Sequence, residues 1–111
     1  MNIGDAIELV KDLPEKKLYS GMQGTIVDRH SDAYEIEFTT PDGETIDFLS
    51  LTPENFILTW TIENKKFVSA KNQAIQLIKM LPNQITQQVL DFIKFKLFYR
   101  QKFIYHQDFV G

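Results

Sequence analysis

Hydrophobic and polar residues alternate with a period of two through the first 60 residues, and turn residues interrupt the alternation at short intervals. The clearest run is Ala33 to Thr39, where aromatic and aliphatic residues fall on one side and Glu35 and Glu37 on the other. This pattern is typical of a strand with one buried and one solvated face. Asp42-Gly43 then supplies a hairpin turn. The alternation predicts five short strands, over residues 4–11, 24–30, 33–39, 44–51 and 56–62.

Five strands this short cannot bury one another as a flat sheet, so we expect a strongly bent, partly closed arrangement. The predicted architecture of residues 1–62 is therefore a small SH3-like five-stranded antiparallel β-barrel. The polar stretch that follows, over residues 63–69, is predicted to be a linker or turn.

After this stretch the apolar period becomes helical. Spacings of three and four residues predict an amphipathic helix over residues 70–81, with Ser69 placed to cap its N-terminus. Pro82 disfavours helical geometry at the residue before it and suits a first helical turn, so a second helix is predicted over residues 83–103. The fold class is thus α+β, with a barrel followed by a helical C-terminal segment over residues 70–111.

The second helix is apolar around most of its circumference. One stripe comprises Ile85, Val89, Phe92, Lys96 and Tyr99, and another comprises Leu90, Ile93 and Leu97. A helix of this kind must be buried on more than one side, and a small barrel with one short helix covers one side. The predicted partner-binding residues are Phe92, Phe95, Phe98, Tyr99, Phe103, Tyr105, Lys94, Lys96 and Arg100.

Composition places the chain among globular proteins, at 43% hydrophobic and 24% charged residues over 111 positions. The absence of cysteine excludes disulfides and thiolate metal sites and fits a reducing, cytoplasmic setting. The N-terminal residues lack the basic region of a signal peptide, and no run of about 18 apolar residues predicts a membrane span.

Charge divides the chain into two parts of opposite sign. Residues 1–60 carry twelve acidic and four basic side chains, a net charge of −8, whereas residues 61–111 carry three acidic and eight basic ones, a net charge of +5. The asymmetry suggests two units with different electrostatic roles. Ordinary solubilising charge explains it equally well.

The sequence offers little for catalysis. His30 sits at a strand end and His106 in the C-terminal tail, and no serine lies in a nucleophile-elbow context. No metal-ligand spacing is present, and turn chemistry accounts for Gly21 and Gly24. We therefore predict a protein that is not an enzyme and has no metal, nucleotide or other cofactor.

Two ligand classes remain to be weighed. An acidic barrel repels phosphate, and phenylalanines lie between the basic residues of the helix, so a protein groove is favoured over nucleic acid, which is expected only through a complex. Five aromatic residues of the barrel suggest either a ligand cage or a core, and inward-facing positions of a small barrel favour the core. They are Tyr34, Phe38, Phe48, Phe56 and Trp60.

Residues 3–59 resemble a family of small, KOW-like bacterial domains of unassigned molecular function, common in cyanobacteria and associated with toxin–antitoxin pairs. The resemblance rests on Gly4-Asp5, Leu13-Pro14, Gly21-Met22 with Gly24-Thr25-Ile26-Val27, the Tyr34 to Phe38 strand, Asp42-Gly43 and Leu51. Residues 73–97 resemble the helical segment of VapB-like antitoxins. That match rests on Leu81-Pro82, the run from Gln88 to Ile93, and Leu97.

These resemblances imply the antitoxin of a type II toxin–antitoxin pair, which neutralises a toxin, such as a ribonuclease, by covering it with a helix. The alternative is a non-catalytic assembly or scaffold protein that docks or forms a homodimer through the same helix. Glu35 and Glu37 form a candidate acidic face that would steer a basic partner.

Overall fold

Six antiparallel strands and two α-helices make up the computed structural model, which describes the backbone of residues 1–110 and the side chains of residues 1–99. Two short 3-10 helices precede β2 and β5. The predicted α+β class, with strands first and two helices last, is confirmed. The elements are β1 Ala6–Leu9, β2 Gln23–His30, β3 Ala33–Thr39, β4 Thr45–Leu51, β5 Phe56–Thr61, β6 Lys66–Phe67, α1 Ala70–Met80 and α2 Asn83–Val110.

The strands form one antiparallel sheet in the order β4-β3-β2-β1-β5-β6. Within the described residues no pairing joins β4 to β6, so the sheet is open where a barrel would be closed. The sixth strand, β6, lies in the segment expected to be a linker, where Phe67 pairs with Trp60 and Lys66 with Thr61.

The sheet is nevertheless strongly bent. Tyr34 of β3 and Phe56 of β5 are separated by two strands, which corresponds to about 14 Å in a flat sheet. Their ring centroids lie only 6.0 Å apart, with the rings nearly perpendicular. The sheet therefore curls around its inner face, as the sequence predicts.

The core occupies that concave face. It contains the inward-pointing residues of five strands together with one residue of the β1–β2 connection, and nearly all of them are fully buried. They are Ile7, Leu9, Leu18, Ile26, Ile36, Phe38, Leu51 and Phe56. The period-two alternation of the sequence is thus the alternation of core and solvent.

Two residues of the sheet differ from expectation. Phe48 is 51% exposed on the outer face, so its prediction as an inward-facing residue is wrong; Leu49 and Leu51, of the opposite parity, face the core instead. Gly24 is a buried residue of β2 and not a turn residue. A Cβ there would lie 2.6 Å from Cγ2 of Ile36 and 3.0 Å from the carbonyl oxygen of Glu37, so close strand packing requires the glycine.

Helix α1 begins as predicted. The Ser69 hydroxyl accepts a hydrogen bond from the backbone N–H of Asn72 at 3.1 Å, which is an N-cap. Farther along, the Gln76 side chain accepts from the N–H of Leu58 at 2.7 Å and donates to its carbonyl at 2.9 Å. The helix is thereby attached to β5 where the short β6 leaves that strand unpaired.

The chain forms two compact units that divide between Lys79 and Met80. Nearly all of α1 therefore belongs with the sheet, and the second unit contains α2. This helix extends to Val110, beyond the predicted end near residue 103.

Candidate interaction surfaces

Helix α2 exposes an aromatic face. Phe92, Phe95 and Tyr99 share one side, since they are spaced by three and four residues, and they are 59%, 60% and 62% exposed. The rings of Phe95 and Tyr99 stack with centroids 5.6 Å apart. The Lys96 ammonium lies 5.4 Å from the centroid of Phe92, a cation–π geometry. Each of these side chains therefore contacts a neighbour on the same side of the helix.

A second apolar side of α2 is aliphatic. Leu90, Ile93 and Leu97 follow one another at spacings of three and four and are 41%, 48% and 53% exposed. At about 100° per residue this aliphatic face lies about 160° around the helix from the aromatic face. The same geometry places Lys94 on one border of the aliphatic face and Lys96 on the other.

The remaining predicted residues of α2 are placed differently. Phe98 is 51% exposed but lies on the polar side, near Gln87 and Asp91, which are joined by a hydrogen bond of 3.1 Å. The side chains of Arg100, Phe103 and Tyr105 lie outside the described residues.

The sheet presents an outer patch of apolar residues beside carboxylates. Phe48 of β4 lies directly opposite Glu37 of β3, and Ser50 lies opposite Glu35, so both predicted acidic residues share this face. The Thr45 hydroxyl donates to Glu37 Oε2 at 2.7 Å. Ile46, 42% exposed, is a second exposed apolar residue of β4 and lies at an irregularity in the register with β3. The steering role of Glu35 and Glu37 stays a prediction.

A groove continues this outer patch toward the loops. Its volume is about 710 Å³, within the usual range of binding clefts. It lies between the β1–β2 and β3–β4 connections, and its walls include Met22, Pro41 and Ile46. Because Ile46 belongs to both, the groove and the outer patch form one continuous surface.

The end of the β2–β3 hairpin gathers three side chains that sequence spacing does not reveal. His30 Nε2 lies 3.7 Å from Asp28 Oδ2 and 4.0 Å from Glu35 Oε2. An irregularity in the register after Ile26 brings Asp28 opposite Glu35. The donor types suit a divalent cation, but His30 and Asp28 are exposed, and exposed acidic clusters of this kind are common without an ion.

Among the described residues, no helix is long and apolar enough to cross a membrane.

The sequence predicts the acidic residues of the outer patch, Glu35 and Glu37, but not the apolar residues beside them. The signal for the apolar part was the presence of apolar residues at both parities of β4, since Ile46 and Phe48 occupy one parity and Leu49 and Leu51 the other.

With its bent antiparallel sheet followed by two helices, the chain is a small α+β protein. Residues 3–58 match the family model described as "Domain of unknown function (DUF4926)", and the chain belongs to that family. The resemblance to small domains of unassigned function is thereby confirmed. The match includes β1 to β4 and ends within β5, so α1 and α2 lie outside it. No curated protein and no solved structure matches the chain.

Proposed function

We propose that this protein is a non-catalytic binding protein that docks on a partner protein through α2, and that its role is that of an antitoxin. The aromatic face carries the proposal: three ring side chains, each about 60% exposed, follow one another along one side of a long helix. Aromatic residues are the usual energetic anchors of protein interfaces. Amphipathic helices commonly place such anchors in a groove of the partner.

The chemistry around these rings indicates what the partner groove contains. The Lys96 ammonium over Phe92 adds positive charge to an otherwise apolar surface. A groove that buries the rings should therefore have apolar pockets with a carboxylate at its edge. The VapB-like pattern of residues 73–97 supports a toxin as the partner.

A scaffold role is the second candidate. The same helix would then attach the DUF4926 domain to a larger assembly. The aromatic face serves both roles, and they differ in whether binding abolishes a toxic activity.

The test is growth of cells that express the product of the neighbouring gene, with and without this protein. We expect the wild-type chain to restore growth and the F92A/F95A/Y99A variant to fail. The loss of one buried anchor costs about 2 kcal/mol or more, roughly a 30-fold weakening, and three losses should abolish neutralisation. Q84A/Q87A, on the polar side of the same helix, is the matched control and should neutralise normally.

A pull-down with the same variants separates the two roles. Wild-type binding without growth rescue contradicts the antitoxin role and leaves the scaffold role. Equal partner binding by wild type and F92A/F95A/Y99A contradicts docking through the aromatic face altogether.

A further inference from the structure

The aliphatic face of α2 and the outer patch of the sheet are complementary in character. On α2, Leu90, Ile93 and Leu97 lie between Lys94 and Lys96. On the sheet, exposed apolar side chains of β4 lie beside carboxylates of β3. We propose that the aliphatic face of α2 docks on the outer patch of a second copy of this chain, and that the two copies exchange helices reciprocally. The outer patch residues are Ile46, Phe48, Glu35 and Glu37.

Charge decides among the ways in which two copies could associate. Two aliphatic faces in contact would bring lysines against lysines, and two outer patches would bring glutamates against glutamates. Of these three contacts, only that between the aliphatic face of one copy and the outer patch of the other brings opposite charges together. This agrees with the net charges of −8 for residues 1–60 and +5 for residues 61–111. Charges around an interface select the partner more than they supply affinity, which comes from the apolar centre.

The dimensions agree. From Leu90 to Leu97 the helix rises about 10.5 Å, at 1.5 Å per residue. From Ile46 to Ser50 the strand extends about 13 Å, at about 3.3 Å per residue. The aliphatic face therefore fits along the patch, and the groove beside Ile46 provides a recess for an apolar side chain at one end.

A second copy is the occupant that this pair of surfaces indicates, because every copy carries both. Reciprocal docking about a two-fold axis forms the same contact twice and closes the assembly at two chains. The aromatic face, about 160° away around the helix, stays available to another partner. The two surfaces share Lys96, but the apolar side chains that each would bury are different, so the dimer does not depend on the antitoxin role.

Charge reversal and mixing test this arrangement with the full chain. The helix variant, K94E/K96E, gives α2 the same sign as the patch, and the sheet variant, E35K/E37K, gives the patch the same sign as α2. Sedimentation should show a dimer for wild type and monomers for each variant alone. Mixing the two variants should restore the dimer, because both helix–sheet contacts then join opposite charges. The chain with all four substitutions should also be dimeric.

Matched controls change the same amount of charge elsewhere. E15K/E63K and K11E/K71E alter exposed residues outside both surfaces and should remain dimeric. Urea unfolding of each variant, followed by the fluorescence of Trp60, identifies any variant that has lost its fold.

Several results would overturn the proposal. A monomeric wild-type chain excludes it. A sheet variant that stays dimeric while the helix variant dissociates indicates pairing between α2 helices. Folded variants that stay monomeric when mixed indicate that the charges do not meet between copies. The E35K/E37K variant keeps the aromatic face of α2, so its binding to a partner protein can be measured whether or not the chain forms a dimer. Failure of the dimer proposal would therefore leave the antitoxin proposal intact.

Discussion

Asp5 connects the beginning of the sheet to the end of β5. Its side chain is 1% exposed, Oδ2 accepts a hydrogen bond from the N–H of Asn2 at 2.8 Å, and Oδ1 accepts from the N–H of Ile62 at 2.9 Å. A buried carboxylate with two backbone donors stabilises both segments, provided that both bonds are kept. In the sequence Asp5 is visible only as part of a motif with Gly4, because the residue it contacts lies far along the chain.

Replacing Asp5 with alanine should lower the free energy of unfolding by about 2–4 kcal/mol, because two N–H groups lose a charged acceptor. Asp5→Asn keeps one acceptor oxygen and should cost less. Urea unfolding monitored by Trp60, the sole tryptophan, measures both. The exposed Asp32→Ala variant is the control, expected to change stability by about 0.5 kcal/mol or less. A loss for Asp5→Ala no larger than this would contradict the structural role.

Other residue positions show what sequence patterns could and could not predict. Ile36 and Phe38 face the core as the alternation indicates. Phe48 does not face the core. Both alternating sets of positions in β4 contain apolar residues, so hydrophobicity alone does not show which set is buried, and the register with β3 determines it. Gly24 looked like a turn glycine, since a close approach between strands leaves no trace in local sequence.

At the scale of elements, β5 shows how the sheet limits an exposed edge. The two-residue β6 covers only part of this strand, and Gln76 of α1 satisfies both backbone groups of Leu58. A side-chain amide thus takes the place of a neighbouring strand. Unpaired edges invite association with other chains, so this contact also protects the sheet.

Gln76→Ala should expose the Leu58 amide. We expect its hydrogen exchange to accelerate while amides of β2, in the middle of the sheet, change less, because opening at an edge is local. The loss of two hydrogen bonds should also lower the unfolding free energy by about 1–2 kcal/mol. Asn72→Ala, an exposed side chain on the same helix, is the control. Unchanged exchange at Leu58 would contradict the edge contact.

The elements that sequence predicted best are the long, regular ones. Alternation located β2, β3, β4 and β5 to within about two residues at each end. Strand β6 was not predicted, because a strand of two residues is too short to show a period in its sequence. The full length of α2 was not predicted, because its C-terminal residues do not continue the apolar stripes. The N-terminus of α1 was predicted from Ser69, because a capping residue is a local signal in the sequence.

At the scale of the whole molecule, the aromatic face was predictable because it depends on helical spacing within one segment. The outer patch was not, since it combines residues of β3 and β4 whose register is fixed by tertiary pairing. The division between Lys79 and Met80 likewise differs from a boundary drawn where strands give way to helices. It assigns nearly all of α1 to the unit that contains the sheet.

This division predicts how shortened chains will behave. A chain ending at Lys79 keeps β6 and Gln76 but lacks α2, so its stability includes no contribution from association through that helix, and it is the reference for a shorter chain. A chain ending at Ile62 loses both, leaving backbone groups of Leu58 and Thr59 without their partners. We expect it to be less stable by about 2–4 kcal/mol, from several hydrogen bonds of about 1 kcal/mol each. Equal midpoints would show that α1 does not support the sheet.

The same two chains bear on where the partner binds. Both lack α2 and should fail to retain a partner that the full chain retains. The chain ending at Lys79 is the informative one, because its sheet should be intact and any loss of binding then belongs to α2. Retained binding by this chain would place the contact on the sheet unit, where the groove bordered by Met22, Pro41 and Ile46 is the first surface to mutate.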